Sequence, residues 1–152
     1  MKKVDYVIVG GGMVGLSLAN QLLEKNENSS ILIIDKEEKI GLHSSGRNSG
    51  VLHAGIYYKP DSLKAKVCIK GAKRLKSWCK NNDLEVLECG KVISVQDPDL
   101  DDRLDFLYER GIKNGAEIQI INKDEFQKIV PFGRTATDRA IWSPKTAVVS
   151  PK

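Results

Sequence analysis

The order of apolar and polar positions divides the start of the chain into a strand, a helix and a second strand. Residues 4–9 are apolar and rich in β-branched side chains, which is typical of a buried parallel strand. Small or apolar residues then recur at helical spacing across residues 13–25 and define one helical face. Residues 31–34 are again apolar and lead into Asp35. The pattern therefore predicts a βαβ unit at the start of an α/β fold.

Beyond this unit the periodicity stops from Lys36 to Pro60, and strands and helices then alternate again. The long interval is rich in glycine, serine and basic residues, so it is either a functional loop or a flexible surface excursion, and its apolar residues favour a packed loop. We predict helices over residues 61–81, 97–114 and 124–129, and strands over residues 86–89, 91–95, 117–121 and 140–142. The two strands on either side of Gly90 are typical of a hairpin.

The turn between the first strand and the first helix is rich in glycine. Gly10 permits a tight turn, Gly12 lets a pyrophosphate approach the backbone, and Gly15 lets the helix pack closely on the strand. The start of the helix would then offer its N–H groups, those of Met13 and Val14 among them, to the phosphates. These features indicate a phosphate-binding turn.

Asp35 follows the second strand, where a carboxylate can accept hydrogen bonds from ribose hydroxyls. An acid at this position favours FAD or NAD over NADP, whose binding requires a partner for its 2′-phosphate. A glycine-rich turn by itself is weak evidence, and a plain βαβ unit is the alternative. Here strand, turn, helix, strand and acid occur in the required order, so the sequence predicts dinucleotide binding.

Composition excludes several function classes. The chain has 152 residues, of which 41% are hydrophobic and 29% charged, with a net charge of +4. Few aromatic residues interleave with the lysines, so we expect no nucleic acid as a partner, and no apolar run reaches the roughly 20 residues of a transmembrane segment. Three cysteines without CxxC spacing indicate buried free thiols, and no metal site is expected. We expect a cytoplasmic protein, which could lie at the periphery of the inner membrane.

A specific resemblance lies in the long loop, where residues 43–58 have the sequence HSSGRNSGVLHAGIYY. This run resembles the L-2-hydroxyglutarate oxidase and dehydrogenase family, within the D-amino-acid-oxidase-like superfamily of FAD enzymes. Residues 110–117 and 143–146 resemble later stretches of the same family. The resemblance implies a Rossmann-like FAD-binding domain of the glutathione-reductase type, with residues 1–84 as its N-terminal part. Residues 85–152 would begin an α+β substrate domain, and both domains would be incomplete.

The resemblance also implies an activity. FAD would serve as the cofactor in the oxidation of a 2-hydroxy acid, L-2-hydroxyglutarate to 2-oxoglutarate, by hydride transfer to the flavin N5. Oxygen or a quinone would be the electron acceptor. The alternatives are a dinucleotide-binding or FAD-binding fragment without catalysis, and another oxidase of the superfamily that acts on an amino acid or on glycerol 3-phosphate. Family members are longer, so we expect the 152-residue piece alone to be inactive.

His53 is the candidate catalytic residue, because histidine titrates near the working pH and can accept the hydroxyl proton of a substrate. A histidine that only hydrogen-bonds the cofactor or the backbone is the equal alternative. Arg47 could pair with the pyrophosphate or with a substrate carboxylate. The expected cofactor-binding residues are Gly10, Gly12, Met13, Val14, Gly15, Asp35, Lys36, Ser45, Gly46, Arg47, Asn48 and Ser49.

Overall fold

The structure, a computed structural model, describes residues 3–151 and divides into two compact units. The described residues up to Ser49, together with Pro151, form the first unit, and Gly50–Ser150 form the second. Domains of a longer protein need not coincide with the compact units of one part of it. The expected domain boundary after residue 84 therefore stays a prediction.

In the first unit a helix connects two parallel strands. The unit comprises β1 (Tyr6–Val9), α1 (Met13–Lys25) and β2 (Ile31–Ile34). β1 and β2 pair in parallel along their whole length. α1 packs on β1, and Ile8 of the strand and Ala19 of the helix are buried. The predicted βαβ unit of an α/β fold is confirmed, and its helix has the predicted bounds.

The other face of this small sheet is apolar and open to solvent. Val7 and Val9 of β1 are 55% and 82% exposed, and their partners Leu32 and Ile34 in β2 are 46% and 44% exposed. Parallel strands with apolar side chains on both sides are typical of sheets that helices cover on both faces. α1 covers one face of this sheet.

The second unit combines two antiparallel sheets with three helices among its described residues. Its strands are β3 (Val51–Leu52), β4 (Val86–Leu87), β5 (Lys91–Ile93), β6 (Gln119–Asn122), β7 (Arg139–Ser143) and β8 (Ala147–Val149). Its helices are α2 (Leu63–Asn81), α3 (Asp102–Lys113), which a 3₁₀ turn (Pro98–Leu100) precedes, and α4 (Lys123–Ile129). The strand orders are β3-β8-β4 and β5-β7-β6. Each sheet therefore has a strand from the end of the chain at its centre.

The hairpin predicted around Gly90 is wrong. β4 pairs with β8 and β5 pairs with β7, so the two strands on either side of Gly90 do not pair with each other. The register differs by one residue on the two sides of Gly90, whose N–H donates to the Thr146 carbonyl at 2.9 Å. A glycine between two apolar runs is a signal of both a hairpin and a bulge. Only the distant partner strands distinguish the two.

Other predictions differ from the structure in smaller ways. β3 lies in the interval predicted as a loop, and β8 has no counterpart in the predicted strands; these two short strands pair with each other. The helix predicted over residues 97–114 is divided, because the Asp97 side chain accepts the Asp99 N–H and forms the separate 3₁₀ turn. Cys89 is exposed rather than buried, Cys68 is half-buried, and Cys79 is buried as expected.

Buried side chains and one ion-pair network fix α3 in the second unit. Leu104 of α3 and Ile141 of β7 are fully buried in the same apolar cluster. Arg139 of β7 pairs with Asp101 and Asp105 at the start of α3, each through a nitrogen–oxygen distance of 2.7 Å. Because two carboxylates bind one planar guanidinium, the rotation of α3 on β7 is defined. The other end of α3 contacts the segment that carries His53.

We expect Gly90→Ala to lower the thermal unfolding midpoint of the protein. Gly90 has a φ of +71°, and an added Cβ would lie 1.9 Å from a ring carbon of Trp142. The indole would have to leave its position against the Ile121–Phe126–Ala140 cluster, and forced repacking of this kind costs about 1–3 kcal/mol. The measurement is thermal unfolding of the full-length protein.

Gly115→Ala is the matched control for Gly90→Ala. Gly115 has a φ of +76°, but an added Cβ would meet no atom within 4 Å. Both variants therefore introduce the same backbone strain, and only Gly90→Ala displaces the indole. Equal losses in the two variants would contradict the proposed clash.

Candidate functional site

The glycine turn connects β1 to α1 with the geometry that the sequence predicts. Gly10 has a φ of +108°, which L side chains rarely adopt. A Cβ on Gly15 would lie 2.0 Å from the Gly10 carbonyl oxygen, so α1 can approach the turn this closely only with glycine there. A Cβ on Gly12 would meet only Ser45, with its Oγ at 3.0 Å. The Gly12 backbone is otherwise open, as the approach of a pyrophosphate requires.

The start of α1 retains backbone donors for a ligand. Ser45 Oγ accepts the Met13 N–H at 2.9 Å, and the hydroxyl can still donate its own proton. Within residues 3–151, the N–H groups of Gly12 and Val14 meet no protein acceptor, and the first turn of α1 contains no acidic side chain. Free N–H groups at the positive end of a helix dipole are suited to a phosphate.

The Asp35 carboxylate, just after β2, is fixed by backbone groups. Oδ1 accepts the Glu37 N–H at 2.9 Å, and Oδ2 accepts the Gly11 N–H at 2.6 Å. These hydrogen bonds, that from Glu37 foremost, hold the pKa of Asp35 below its ordinary value of 3.8, so the group is ionised at neutral pH. A carboxylate offers about four acceptor positions. The remaining positions can accept a pair of ribose hydroxyls.

Residues 41–49 fold onto the glycine turn. The Gly41 N–H donates to the Gly11 carbonyl, and Asn48 Nδ2 donates to the carbonyls of Ser44 and Ser45. Asn48 therefore shapes the loop through its amide group, and its contact with a cofactor stays a prediction. The loop thus brings Ser45 to the first turn of α1, as the hydrogen bond to Met13 shows.

The loop and the start of α1 border a cleft of ≈ 550 Å³. Its lining residues include Met13, Leu16, Ile40, Ser45, Gly46 and Arg47. Arg47 is exposed, and no carboxylate in the described part of the chain pairs with its guanidinium. A cleft of several hundred Å³ with a few polar groups is typical of a ligand site. Two other predicted residues, Lys36 and Ser49, do not line this cleft. Lys36 Nζ lies 3.9 Å from Glu37 Oε1, and Ser49 is exposed.

These features fit a dinucleotide. A pyrophosphate and its adjoining ribose require three elements. These are the open backbone at Gly12, the free N–H groups at the start of α1 and the ionised carboxylate of Asp35 after β2. All three belong to the first unit. The residues present therefore have the chemistry to hold the adenosine half and the pyrophosphate of such a cofactor.

His53 lies in the second unit, whereas all the expected cofactor-binding residues lie in the first. The side chain is half-buried, and its ring makes an edge contact with Tyr57 at a centroid distance of 6.4 Å. Burial, and then the Lys91 cation, hold the pKa of His53 below its ordinary value of 6.5. The ring is therefore neutral at pH 7, with a lone pair that can accept a proton.

Some residues that contact the predicted site residues have no role in the sequence-based prediction. Gly11 fixes Asp35 through its N–H, and its position between Gly10 and Gly12 is the sequence signal for this role. Lys91 lies over the Tyr57 ring at 4.6 Å from the centroid. No local pattern connects Lys91 with Tyr57 or His53, because the fold of the second unit brings them together.

The fold and the glycine turn together define a dinucleotide-binding protein of the α/β class. Residues 5–152 match the model of the DAO family, whose description is FAD dependent oxidoreductase, and the chain belongs to this family. The expected family and cofactor are thereby confirmed.

Relatives named L-2-hydroxyglutarate dehydrogenase match nearly the whole chain. The chain is 41% identical to the L-2-hydroxyglutarate dehydrogenase of Homo sapiens over 95% of its own length and 31% of that protein. It is 42% identical to the enzyme of the same name from Dictyostelium discoideum over 97% of its length and 33% of that protein. The chain thus spans about a third of the length of these relatives.

Solved structures share the fold. L-α-glycerophosphate oxidase from Mycoplasma pneumoniae, with FAD bound, superposes with a TM-score of 0.84 at 26% identity, over 99% of this chain and 40% of that protein. Glycine oxidase from Geobacillus kaustophilus also gives a TM-score of 0.84, at 20% identity, over 99% of this chain and 41% of that protein. The second likeness shows the fold alone.

The expectation of a cytoplasmic protein is wrong. The relatives from Homo sapiens and Dictyostelium discoideum are named mitochondrial L-2-hydroxyglutarate dehydrogenases. The expectation rested on composition, on the cysteines and on the lack of a long apolar run, and none of these reports the compartment of a protein. Across residues 3–151, none of the helices has the length and hydropathy needed to cross a membrane.

Proposed function

We propose that this chain is the N-terminal part of an FAD-dependent oxidoreductase that oxidises L-2-hydroxyglutarate to 2-oxoglutarate. One observation carries the proposal: about 41% identity to L-2-hydroxyglutarate dehydrogenases over nearly the whole chain. The long, specific run from His43 to Tyr58 falls within the matched stretch. A carboxylate on each end of the substrate also suits a site with accessible cations, of which Arg47 is one.

The first unit would hold the cofactor. We assign the pyrophosphate to the Gly10–Gly15 turn and the adenine ribose to Asp35. The remaining assigned cofactor contacts are Lys36, Ser45, Gly46, Arg47, Asn48 and Ser49. The open Gly12 backbone, the fixed Asp35 carboxylate and the cleft beside Ser45 support these assignments. When bound, FAD supplies a hydride acceptor at the flavin N5.

His53 would accept the hydroxyl proton of the substrate. As the hydrogen on the α-carbon leaves with its electron pair, the electrons of the O–H bond form the carbonyl, and the proton needs an acceptor. The neutral, half-buried ring of His53 is such an acceptor, because its pKa lies below the working pH. Oxidation of the reduced cofactor by oxygen or by a quinone would complete the cycle. The division into an FAD domain up to residue 84 and a substrate domain from residue 85 is part of the same proposal.

Anaerobic reduction of the bound flavin tests this function in the full-length protein. L-2-Hydroxyglutarate is expected to bleach the flavin absorbance faster than its D-enantiomer, L-lactate, glycine or glycerol 3-phosphate. Addition of oxygen or of a soluble quinone to the reduced protein then identifies the acceptor.

Three other results would contradict the proposal in different ways. Bleaching by glycerol 3-phosphate alone would favour the activity of the Mycoplasma pneumoniae neighbour, which is 26% identical to this chain and is the second candidate. Bleaching by glycine alone would indicate an amino-acid oxidase. Bound flavin that none of the acids reduces would indicate a cofactor-binding protein without this catalysis.

A further inference from the structure

Residues 53–58, which we name the His53 segment, are held by side chains rather than by a backbone ladder. The segment begins where β3 ends, at Leu52. Its carbonyl groups accept four hydrogen bonds from two helices: Cys68 Sγ donates to His53, Arg110 Nη1 to Tyr57, and Asn114 Nδ2 to Gly55 and to Tyr58. Removal of one donor would therefore leave a specific carbonyl of the segment without its partner.

Asn114 makes two of these contacts with one amide group. Its distances to the Gly55 and Tyr58 carbonyl oxygens are both 2.8 Å, so both protons of the NH₂ group are used. The two carbonyls lie on either side of Ile56, which is only 2% exposed. The Asn114 side chain thus holds the backbone of the segment through two hydrogen bonds, and the buried Ile56 side chain holds it through packing.

Backbone hydrogen bonds hold Asn114 at the end of α3, and ion pairs hold α3 against β7. Asn114 is the residue that follows α3, and its own N–H donates to the Arg110 and Gly111 carbonyls at 3.0 and 3.1 Å. The other end of α3 is bound to β7 through the Arg139 ion pairs. The amide group is therefore fixed relative to the sheet that contains β7.

Hydrogen bonds to the described residues do not hold the His53 ring. Within residues 3–151, neither ring nitrogen donates to or accepts from a protein group, and the ring contact that is present is with Tyr57 of the same segment. No hydrogen bond from the described residues therefore fixes the ring, and its position depends on the backbone of the segment. The groups that hold this backbone are Asn114, Arg110 and Cys68.

We propose that Asn114 is a positioning residue for the reaction, because its two hydrogen bonds hold the His53 segment and so place the His53 ring. The inference rests on the proposed function, in which His53 accepts the substrate proton. Asn114 itself would not contact the substrate. Misplacement of a reacting group by about 1 Å can cost on the order of 100-fold in rate.

The test is a double-mutant cycle on flavin reduction in the full-length protein. Asn114→Ala is expected to lower the limiting rate constant for reduction by about 10- to 100-fold, with little change in the half-saturating substrate concentration or in FAD content. In the His53→Ala background the same substitution is expected to have little effect, because the group that it places is absent. Asn114 has φ −83° and ψ −5°, which alanine adopts without strain.

Asn82→Ala is the matched control. Asn82 caps the end of α2 as Asn114 follows α3, and its Nδ2 donates to the Trp78 carbonyl at 2.8 Å, within its own helix. It is expected to leave the rate constant unchanged. Arg110→Met is a second test, since it removes the donor to Tyr57 and keeps a long side chain against Phe106. We expect a smaller loss that also disappears in the His53→Ala background.

Each remaining outcome has a defined meaning. An unchanged rate in Asn114→Ala, or an equal loss in both backgrounds, would overturn the positioning role. The positioning role would also be overturned if Asn114→Ala lost FAD or its folded state and the effect of Arg110→Met added to that of His53→Ala. That pair of results would assign Asn114 and Arg110 to stability. If His53→Ala alone left the rate of reduction unchanged, the proposed role of His53 would fail. That failure can be recognised without any variant of Asn114.

Discussion

Gly12→Val is expected to abolish FAD binding by the full-length protein. The substitution places a branched side chain where the Gly12 backbone is open, and the nearest atom to its Cβ would be Ser45 Oγ at 3.0 Å. The two methyl groups would occupy the approach of the pyrophosphate and would press on the hydroxyl that accepts the Met13 N–H. The ratio of flavin absorbance to protein absorbance after purification measures the effect.

Gly71→Val controls for the substitution itself. Gly71 lies in α2 on the exposed surface, and an added Cβ would meet no atom within 4 Å. This variant is expected to retain FAD at the occupancy of the parent protein. If Gly12→Val retained the same occupancy while remaining folded, the assignment of the turn to the pyrophosphate would be wrong.

His53→Ala is expected to slow flavin reduction by about 10²–10⁴-fold, the usual contribution of a general base. FAD content is expected to change little, because the groups assigned to cofactor binding lie in the other unit. Stopped-flow measurement of flavin bleaching under anaerobic conditions separates these two effects. Unchanged reduction kinetics would remove the catalytic role of His53 and leave the FAD assignment intact.

His53→Gln distinguishes a base from a hydrogen-bonding group. Glutamine can donate and accept hydrogen bonds but cannot take a proton near neutral pH. If His53 is the base, this variant should be as slow as His53→Ala. A rate close to that of the parent protein would show that hydrogen bonding to the cofactor or the backbone is sufficient.

The pH dependence of reduction follows from the lowered pKa of His53. A proton acceptor acts in its deprotonated form, so the parent rate constant should rise as pH increases through the pKa of His53. Burial and Lys91 hold this pKa below 6.5, and the rate constant should be independent of pH above that range. Both His53 variants should lack the rise. A rise that persisted in the variants would assign it to another group.

Much of the candidate cofactor site could be predicted from the sequence. The roles of Gly10, Gly12 and Gly15 depend on backbone conformation and close approach within one short turn, and Asp35 follows directly from the second strand. These are local features, so residue type and spacing predict them. The sequence predicts Ser45 among the cofactor-binding residues, but its hydrogen bond to Met13 joins residues 32 positions apart and is visible only in the structure.

The order of elements in the first unit was determined by the sequence itself. Side chains alternate along strands and recur every three to four residues along helices, so the local pattern is enough to define β1, α1 and β2. The tertiary structure decided the pairing of β4 with β8 and of β5 with β7, because strand partners depend on contacts with the distant end of the chain. It also decided that Asn114 holds the His53 segment, 59 positions away from Gly55, because such contacts form only when packed elements bring distant residues together.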